Sequence, residues 1–434
     1  MQKSYATITL IVAICVIAAL GIYLTQGAKH QTPNSTTIIP TNVTKWYGSS
    51  AAAAAKVAQN VNYFAIGLYS GLNNQSGNES ANLLFSPFSI STALSMTAVG
   101  AGGITRTELD SELGLSNNST ENNMGFYSVL NGILPQNSAY NLSVADGVWV
   151  EQTFPINQTF VNTLSTYYDA LARQTDFINN PTGATTDINN WVANKTNNKI
   201  INLIPPGAIT ALTRLVLVNA VHFKANWSQQ FNLQETYNTS FFVSPIQNVT
   251  VPMMHQESGF PYYSNSQLKA IELNYYGSNI TMLIILPNLN NGISTVESGL
   301  SAGEISGIEA NLTDQQVELA LPRFNITTQS IPMKSLLISL GIKSAFSSTA
   351  NFSGINSKTE LNISQVYHKA FIKVNEAGTE AAAATAVIMG TMAVANPVAP
   401  QAFNANHPFL FFIMDKKTGT ILFMGKEANP ASSS

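Results

Sequence analysis

The chain has 434 residues and a net charge of −3, and 45% of its residues are hydrophobic, enough to build either one large core or a few average domains. Only 10% are charged, where soluble proteins average about 25%, and no long run of either sign occurs. Both nucleic acid and anionic membrane surfaces require clustered Lys and Arg, so neither is a partner that the composition supports.

A short tail, residues 1–4, carries Lys3 and precedes an uncharged apolar run over 5–24, long enough at about 20 residues to cross a bilayer as a helix. No Ala-x-Ala-like site follows it, so the run reads as a signal-anchor, with a cleaved signal peptide as the alternative. Either way the remainder is exported, and an extracellular location is expected. The single cysteine, Cys15, lies inside this run; Ile14 before it is too bulky for a lipidation site. The exported part therefore has no disulfide, no thiol nucleophile and no cysteine metal site. Asn-x-Ser/Thr sequons recur at Asn34, Asn42, Asn78, Asn141, Asn226, Asn238 and Asn279, so glycosylation is expected. An amide-rich, charge-poor surface also suits acid surroundings, where carboxylates would be neutralised.

Residues 25–48 form a tether, with 31–44 rich in Thr, Asn and Pro and expected to be extended. Over 51–72, Val57, Val61, Phe64, Ala65 and Leu68 share one helical face. Helical spacing recurs over 160–171 and 188–203. The β-branched apolar runs 215–223 and 280–286 read as buried strands, and 366–374 alternates like another. Near the C-terminus, 409–414 and 420–424 flank a short polar turn ending in Gly419, which predicts a buried hairpin. No linker divides the chain after the tether. Helices and strands mix without a βαβ rhythm, so the class is α+β.

Candidate catalytic groups are few. Gly299-Leu300-Ser301-Ala302-Gly303 matches the G-x-S-x-G elbow of esterases, but the residues before it are loop-like where that motif needs a strand, and no strong helix is evident behind it. The histidines His30, His222, His255, His368 and His407 show no metal spacing. Nothing points to an enzyme, a metal or a cofactor. The unusual segment is 376–387, EAGTEAAAATAV. Propensity alone makes it a helix, yet it lies between a strand-like run and the breakers Gly390, Pro397 and Pro400.

At this point the chain resembles the serpins, the serine-protease inhibitor family. The resemblance rests on NLLFSPFSIS at 82–91, LVNAVHFKANW at 217–227, LPRF at 321–324, LGI at 340–342 with Ala345-Phe346, VYHKA at 366–370, the Ala-rich hinge, and FMGK at 423–426 with Asn429-Pro430. Together, in this order and spacing, they are specific. The stretch from the hinge to Phe403 is a few residues longer than usual, and the apolar N-terminal run and low charge are atypical.

The resemblance implies an α+β serpin fold over 49–431, with three β-sheets, about eight or nine helices and an exposed reactive-centre loop near 376–402. It implies a kinetically trapped native state. A target protease would cut the loop, whose hinge side would then enter the main sheet as an added strand and carry the attached protease across the molecule. The hinge would be Glu376, Gly378, Thr379, Glu380, Ala381, Ala382, Ala383, Ala384 and Thr385. Strand alternation turns Thr379, Ala381, Ala383 and Thr385 inward and leaves Glu380 wet. Family spacing places the reactive bond at Met392–Ala393, with Met389 and Thr391 as alternatives. A Met there suits a chymotrypsin-, elastase- or subtilisin-like serine protease. Ser86, Ser89, Asn219 and His368 match the polar cluster that holds the sheet closed, Trp227 the point where insertion begins, and Arg323 with Glu376 an ion pair at the loop base. A monomer without cofactor is expected. The alternative is a non-inhibitory member, a binding or chaperone-like surface protein; the small hinge residues argue against it, since such members carry bulky, charged or Pro residues there.

Overall fold

A computed structural model describes residues 35–41, 48–77, 81–134, 140–357, 361–379 and 399–432. Among them are nine α-helices, two short 3-10 turns and strands in two hydrogen-bonded sheets. The main sheet runs, edge to edge, Ser35–Thr37, Leu171–Thr175, Tyr140–Glu151, Leu215–Asn226, Gly378–Thr379, Ile363–Asn375 and Phe324–Thr327, with Ile331–Pro332 also pairing to Ile363–Asn375. The second sheet has nine strands. Its long strand Gln247–Ser264 pairs with Thr236–Ser244 and Thr313–Pro322, and at its far end with Leu268–Asn274. That strand thus welds two smaller sheets, expected as separate, into one continuous ladder.

The helix Pro87–Val99 explains how the main sheet is supported. Ser86 caps it, accepting from the Ser89 N–H, and Pro87 fills the first turn, where no donor is needed. Every residue from Pro87 to Ala98 is buried, so the helix is apolar or small all round and runs through the core. Two of its hydroxyls fold back onto the helix: Thr92 donates to the Phe88 carbonyl at 2.8 Å and Thr97 to that of Ala93 at 2.9 Å. On the opposite face of the sheet, the helix Pro181–Lys195 buries Ala184, Ile188 and Val192 beside Trp149, Val216, Val218 and Tyr367.

Several boundaries differ from the periodic reading. The helix expected over 160–171 spans Gln158–Tyr167; Asp169 then takes φ +48° and the chain leaves as the strand Leu171–Thr175. The one expected over 188–203 spans Pro181–Lys195, capped by Asn180 and ended by Asn197 and Asn198 at positive φ. Asn tolerates that conformation, and apolar spacing carries no mark of it. The strand expected over 215–223 continues to Asn226. Within the tether, Ser35–Thr37 is an extended strand at the outer edge of the main sheet, paired with Leu171–Thr175.

Candidate functional site

The strands Leu215–Asn226 and Ile363–Asn375 lie parallel at the centre of the main sheet, paired directly from Leu215↔Ile363 to His222↔Phe371. Beyond that point they part. The returning chain fills the gap: Gly378 pairs with Asn226 on one side and Asn375 on the other, and Thr379 with Ala225 and Val374. Two residues past the turn are therefore already an intervening strand, antiparallel to both neighbours.

Gly378 allows this. Its φ is +152°, and a Cβ there would stand 2.1 Å from the Ala225 carbonyl oxygen, so only glycine brings the backbones this close. Thr379 is fully buried, and its hydroxyl lies 2.6 Å from that of Tyr275. The Tyr275 ring stacks on Trp227, with centroids 4.5 Å apart and planes at 16°. Trp227 in turn donates its indole N–H to the Asn375 carbonyl at 3.0 Å and its backbone N–H to that of Ala377 at 2.9 Å. At the base of the turn, Glu376 Oε1 accepts from Arg323 Nε at 2.7 Å and from the Thr236 hydroxyl at 2.6 Å. Partial burial alone would raise the Glu376 pKa, but these bonds and the Arg323 charge outweigh it and hold the carboxyl below its ordinary range.

Below the gap, where the two strands are still paired directly, lies a polar row. Asp146, Asn219 and His368 are register partners on three adjacent strands, and all are buried. The Ser86 N–H donates to His368 Nε2 at 3.1 Å, so Nδ1 carries the proton and donates to Asn219 Oδ1. The Asn219 amide nitrogen donates to Asp146 Oδ1 and Ser89 Oγ. The Ser86 hydroxyl donates to the Leu422 carbonyl at 2.5 Å, tying the row to the second sheet. Burial drives the His368 pKa down to about 3. It drives that of Asp146 up to about 7, against the lowering effect of its Asn219 and Ser89 bonds. The contact between Asn219 and His368 crosses the two strands that part above.

A family model described as serpin, serine protease inhibitor, matches residues 59–430. The chain belongs to the serpin family. It is 41% identical over 375 residues to an uncharacterized serpin-like protein of Thermococcus kodakarensis, covering 86% of each chain. It is 38% identical to Serpin B6 of Macaca fascicularis, over 85% of this chain and 97% of that one. Among solved structures, Serpin48 of the insect Tenebrio molitor superposes with a TM-score of 0.76 at 32% identity, covering 86% of this chain and 98% of the other. The family is described as one of serine protease inhibitors, and the fold of this chain is the family's.

In this serpin, the expected residues fall into two groups around the central gap. Trp227, Arg323, Glu376, Gly378 and Thr379 meet at its open end, while Ser86, Ser89, Asn219 and His368 meet lower down. Glu380, Ala381, Ala382, Ala383, Ala384, Thr385 and the Met392–Ala393 bond, with Met389 and Thr391, lie outside the described residues, as does 5–24. Ser301 is no elbow. It caps the helix Ala302–Ala310, a helix the sequence reading did not credit, by accepting from the Glu304 N–H at 3.0 Å; a short helix, not a strand, precedes it.

Three site residues escape the sequence reading: Asp146, Tyr275 and Thr236. Only Asp146 leaves a trace in the sequence. Along Tyr140–Glu151, Leu142, Val148 and Val150 share its parity and are buried, so a carboxyl on the apolar side marks an anomaly. Tyr275 and Thr236 reach the site through long-range folding and leave no local pattern.

Proposed function

We propose that this serpin is an extracellular inhibitor of serine proteases that traps its target as a suicide substrate, inserting the cleaved loop between Leu215–Asn226 and Ile363–Asn375. The observation that carries this reading is the double pairing of Gly378 and Thr379 between those strands. It is a strand addition already begun, awaiting only a free end.

Continuing the same antiparallel register supports the reading. Because Thr379 faces Ala225, Ala381 would meet Phe223, Ala383 would meet Val221, and Thr385 would meet Asn219. Three small inward residues would pass through a packed core, and the Thr385 hydroxyl would arrive where insertion separates Asn219 from His368. Glu380, on the opposite parity, would lie between Lys224 and Lys373, both exposed on the outer face. The hinge's one charge would thus find two opposite charges as it enters.

The bait bond would be Met392–Ala393, offered to a chymotrypsin-, elastase- or subtilisin-like enzyme. Residues 5–24 would hold the inhibitor at the outer face of the membrane or, if cleaved, release it as a secreted monomer. Incubation with chymotrypsin, elastase and subtilisin should give, with at least one, a complex that survives boiling in SDS. If each enzyme cuts the loop and turns over freely, the protein is instead a non-inhibitory member.

A further inference from the structure

The outermost strand of the main sheet comes from outside the region that matches the family, which begins at residue 59. Ser35, Thr36 and Thr37 pair antiparallel with Thr175, Gln174 and Arg173, and the Ile38 N–H donates to the Ala172 carbonyl at 3.1 Å. The Ile38 side chain packs against the main hydrophobic core. Two side-chain amides one helical turn apart then read the tether's backbone: Gln158 Nε2 donates to the Ile39 carbonyl at 3.2 Å, and Asn162 Oδ1 accepts the Thr41 N–H at 3.0 Å. Gln158 also donates to Asn162 at 3.0 Å, which fixes the pair. The tether is therefore held by strand pairing, by an apolar anchor and by a polar clamp.

Without it, Leu171–Thr175 would be the edge. Proteins guard such edges with charged side chains, Pro or bulges, because an unpaired row of N–H and C=O groups recruits another chain. This strand, LARQT, has one charge. The Arg173 guanidinium stands over the rings of Trp149 and Trp191, 5.2 and 5.7 Å from their centroids, so it covers the sheet face and leaves the edge unguarded. A chain with 10% charged residues has few other charges to place there.

We propose that residues 35–41 act as an edge guard, closing the main sheet against strand pairing with a second copy of this chain. The guard rests on pairing already formed in the native state and stands whether or not the protein traps proteases.

The full chain, held in detergent micelles, tests this with Ile38→Pro, which removes the N–H donated to Ala172, and separately with the double variant Gln158→Leu, Asn162→Leu, which disables the clamp on the protein surface. Amide exchange reports release of the tether, and size exclusion after mild heating below the melting point reports self-association. Loss of one backbone bond in the first variant, or of the two clamp bonds in the second, should speed exchange of the tether amides by about tenfold and raise multimer formation in both variants. A synthetic peptide of residues 35–41, added in trans, should suppress the multimers. Tether amides that exchange freely in the unmodified chain, or a released tether with unchanged multimer formation, would overturn the proposal.

Discussion

The hydroxyls of Thr379 and Tyr275 meet 2.6 Å apart in the buried interior, although 104 positions separate them in the chain. Thr379 is the first hinge side chain to turn inward, and Tyr275 is the group that receives it. Replacing Thr379 by Arg places a long charged side chain where no solvent reaches, and a buried unpaired charge costs several kcal/mol. Expelling the two-residue strand avoids that cost, so the native fold should survive while entry of the loop is blocked. Thr379→Arg is expected to convert inhibitor into substrate, with the cleaved fraction rising at least about tenfold. Thr379→Ser, which keeps the hydroxyl, should inhibit normally. Quantifying complex against cleaved product on SDS gels decides it.

Cutting the loop should stabilise the protein. The strands Leu215–Asn226 and Ile363–Asn375 pair in parallel below the gap, an arrangement slightly weaker per residue than antiparallel pairing. An inserted segment would replace one parallel interface by two antiparallel ones and bury more small apolar surface. Nicking with a non-target protease should therefore raise the melting temperature, read by circular dichroism. A cleaved form that melts at or below the intact one would end the insertion mechanism.

Stability should peak on the acid side of neutrality. Burial raises Asp146 to about 7, and raises Glu309 to about 7 with help from the Glu272 charge. It also raises Glu427 to about 8, against hydrogen bonds from Asn429 and Asn82. These carboxyls hold protons in the folded state that the unfolded chain releases, so their contribution is complete below the ordinary carboxylate range. It is lost as pH rises through 7 to 8. For Asp146 that contribution is on the order of 4 kcal/mol. His368, lowered to about 3 by burial, works oppositely: its contribution is present above its unfolded value and fades as pH falls toward 3. Between pH 8 and about 6.5 the carboxyls dominate, so melting temperature should climb on acidification. Asp146→Asn should flatten that climb. A maximum above pH 7 with unfolding by pH 4 would contradict the assignment.

The buried cation Lys426 anchors the last strand to the first helix. Its Nζ lies 3.1 Å from Glu297 Oε1 and 2.7 Å from Asn73 Oδ1, and Tyr69 donates to the same Glu297 oxygen at 2.6 Å. Lys426→Met would leave the carboxylate without its cation and should cost about 3–5 kcal/mol. The urea midpoint should fall accordingly, whereas the pair of substitutions Lys426→Met and Glu297→Gln should recover much of the loss. An unchanged midpoint in the single variant would show that solvent already screens the pair.

Local pattern determined a good part of this protein. The β-branching over 215–223, the alternation over 366–374, the helical face of Val57, Val61 and Phe64, and the apolar runs flanking Gly419 each recorded an element, because burial of one face imposes its period on the residues that make it. Motif order then disclosed the serpin fold, and the small residues after Gly378 marked the segment whose composition departs from its propensity. Helix ends were less legible, since Asn197 and Asn198 stop a helix through backbone conformation that apolar spacing does not encode. Tertiary structure alone decided which distant groups meet: Thr379 with Tyr275, Glu376 with Thr236, Asp146 beside Asn219, and Ser35–Thr37 along Leu171–Thr175. Such contacts are set by register between strands far apart in sequence, and register is a property of the assembled sheet. A single strand records its own period and nothing of its neighbour's offset.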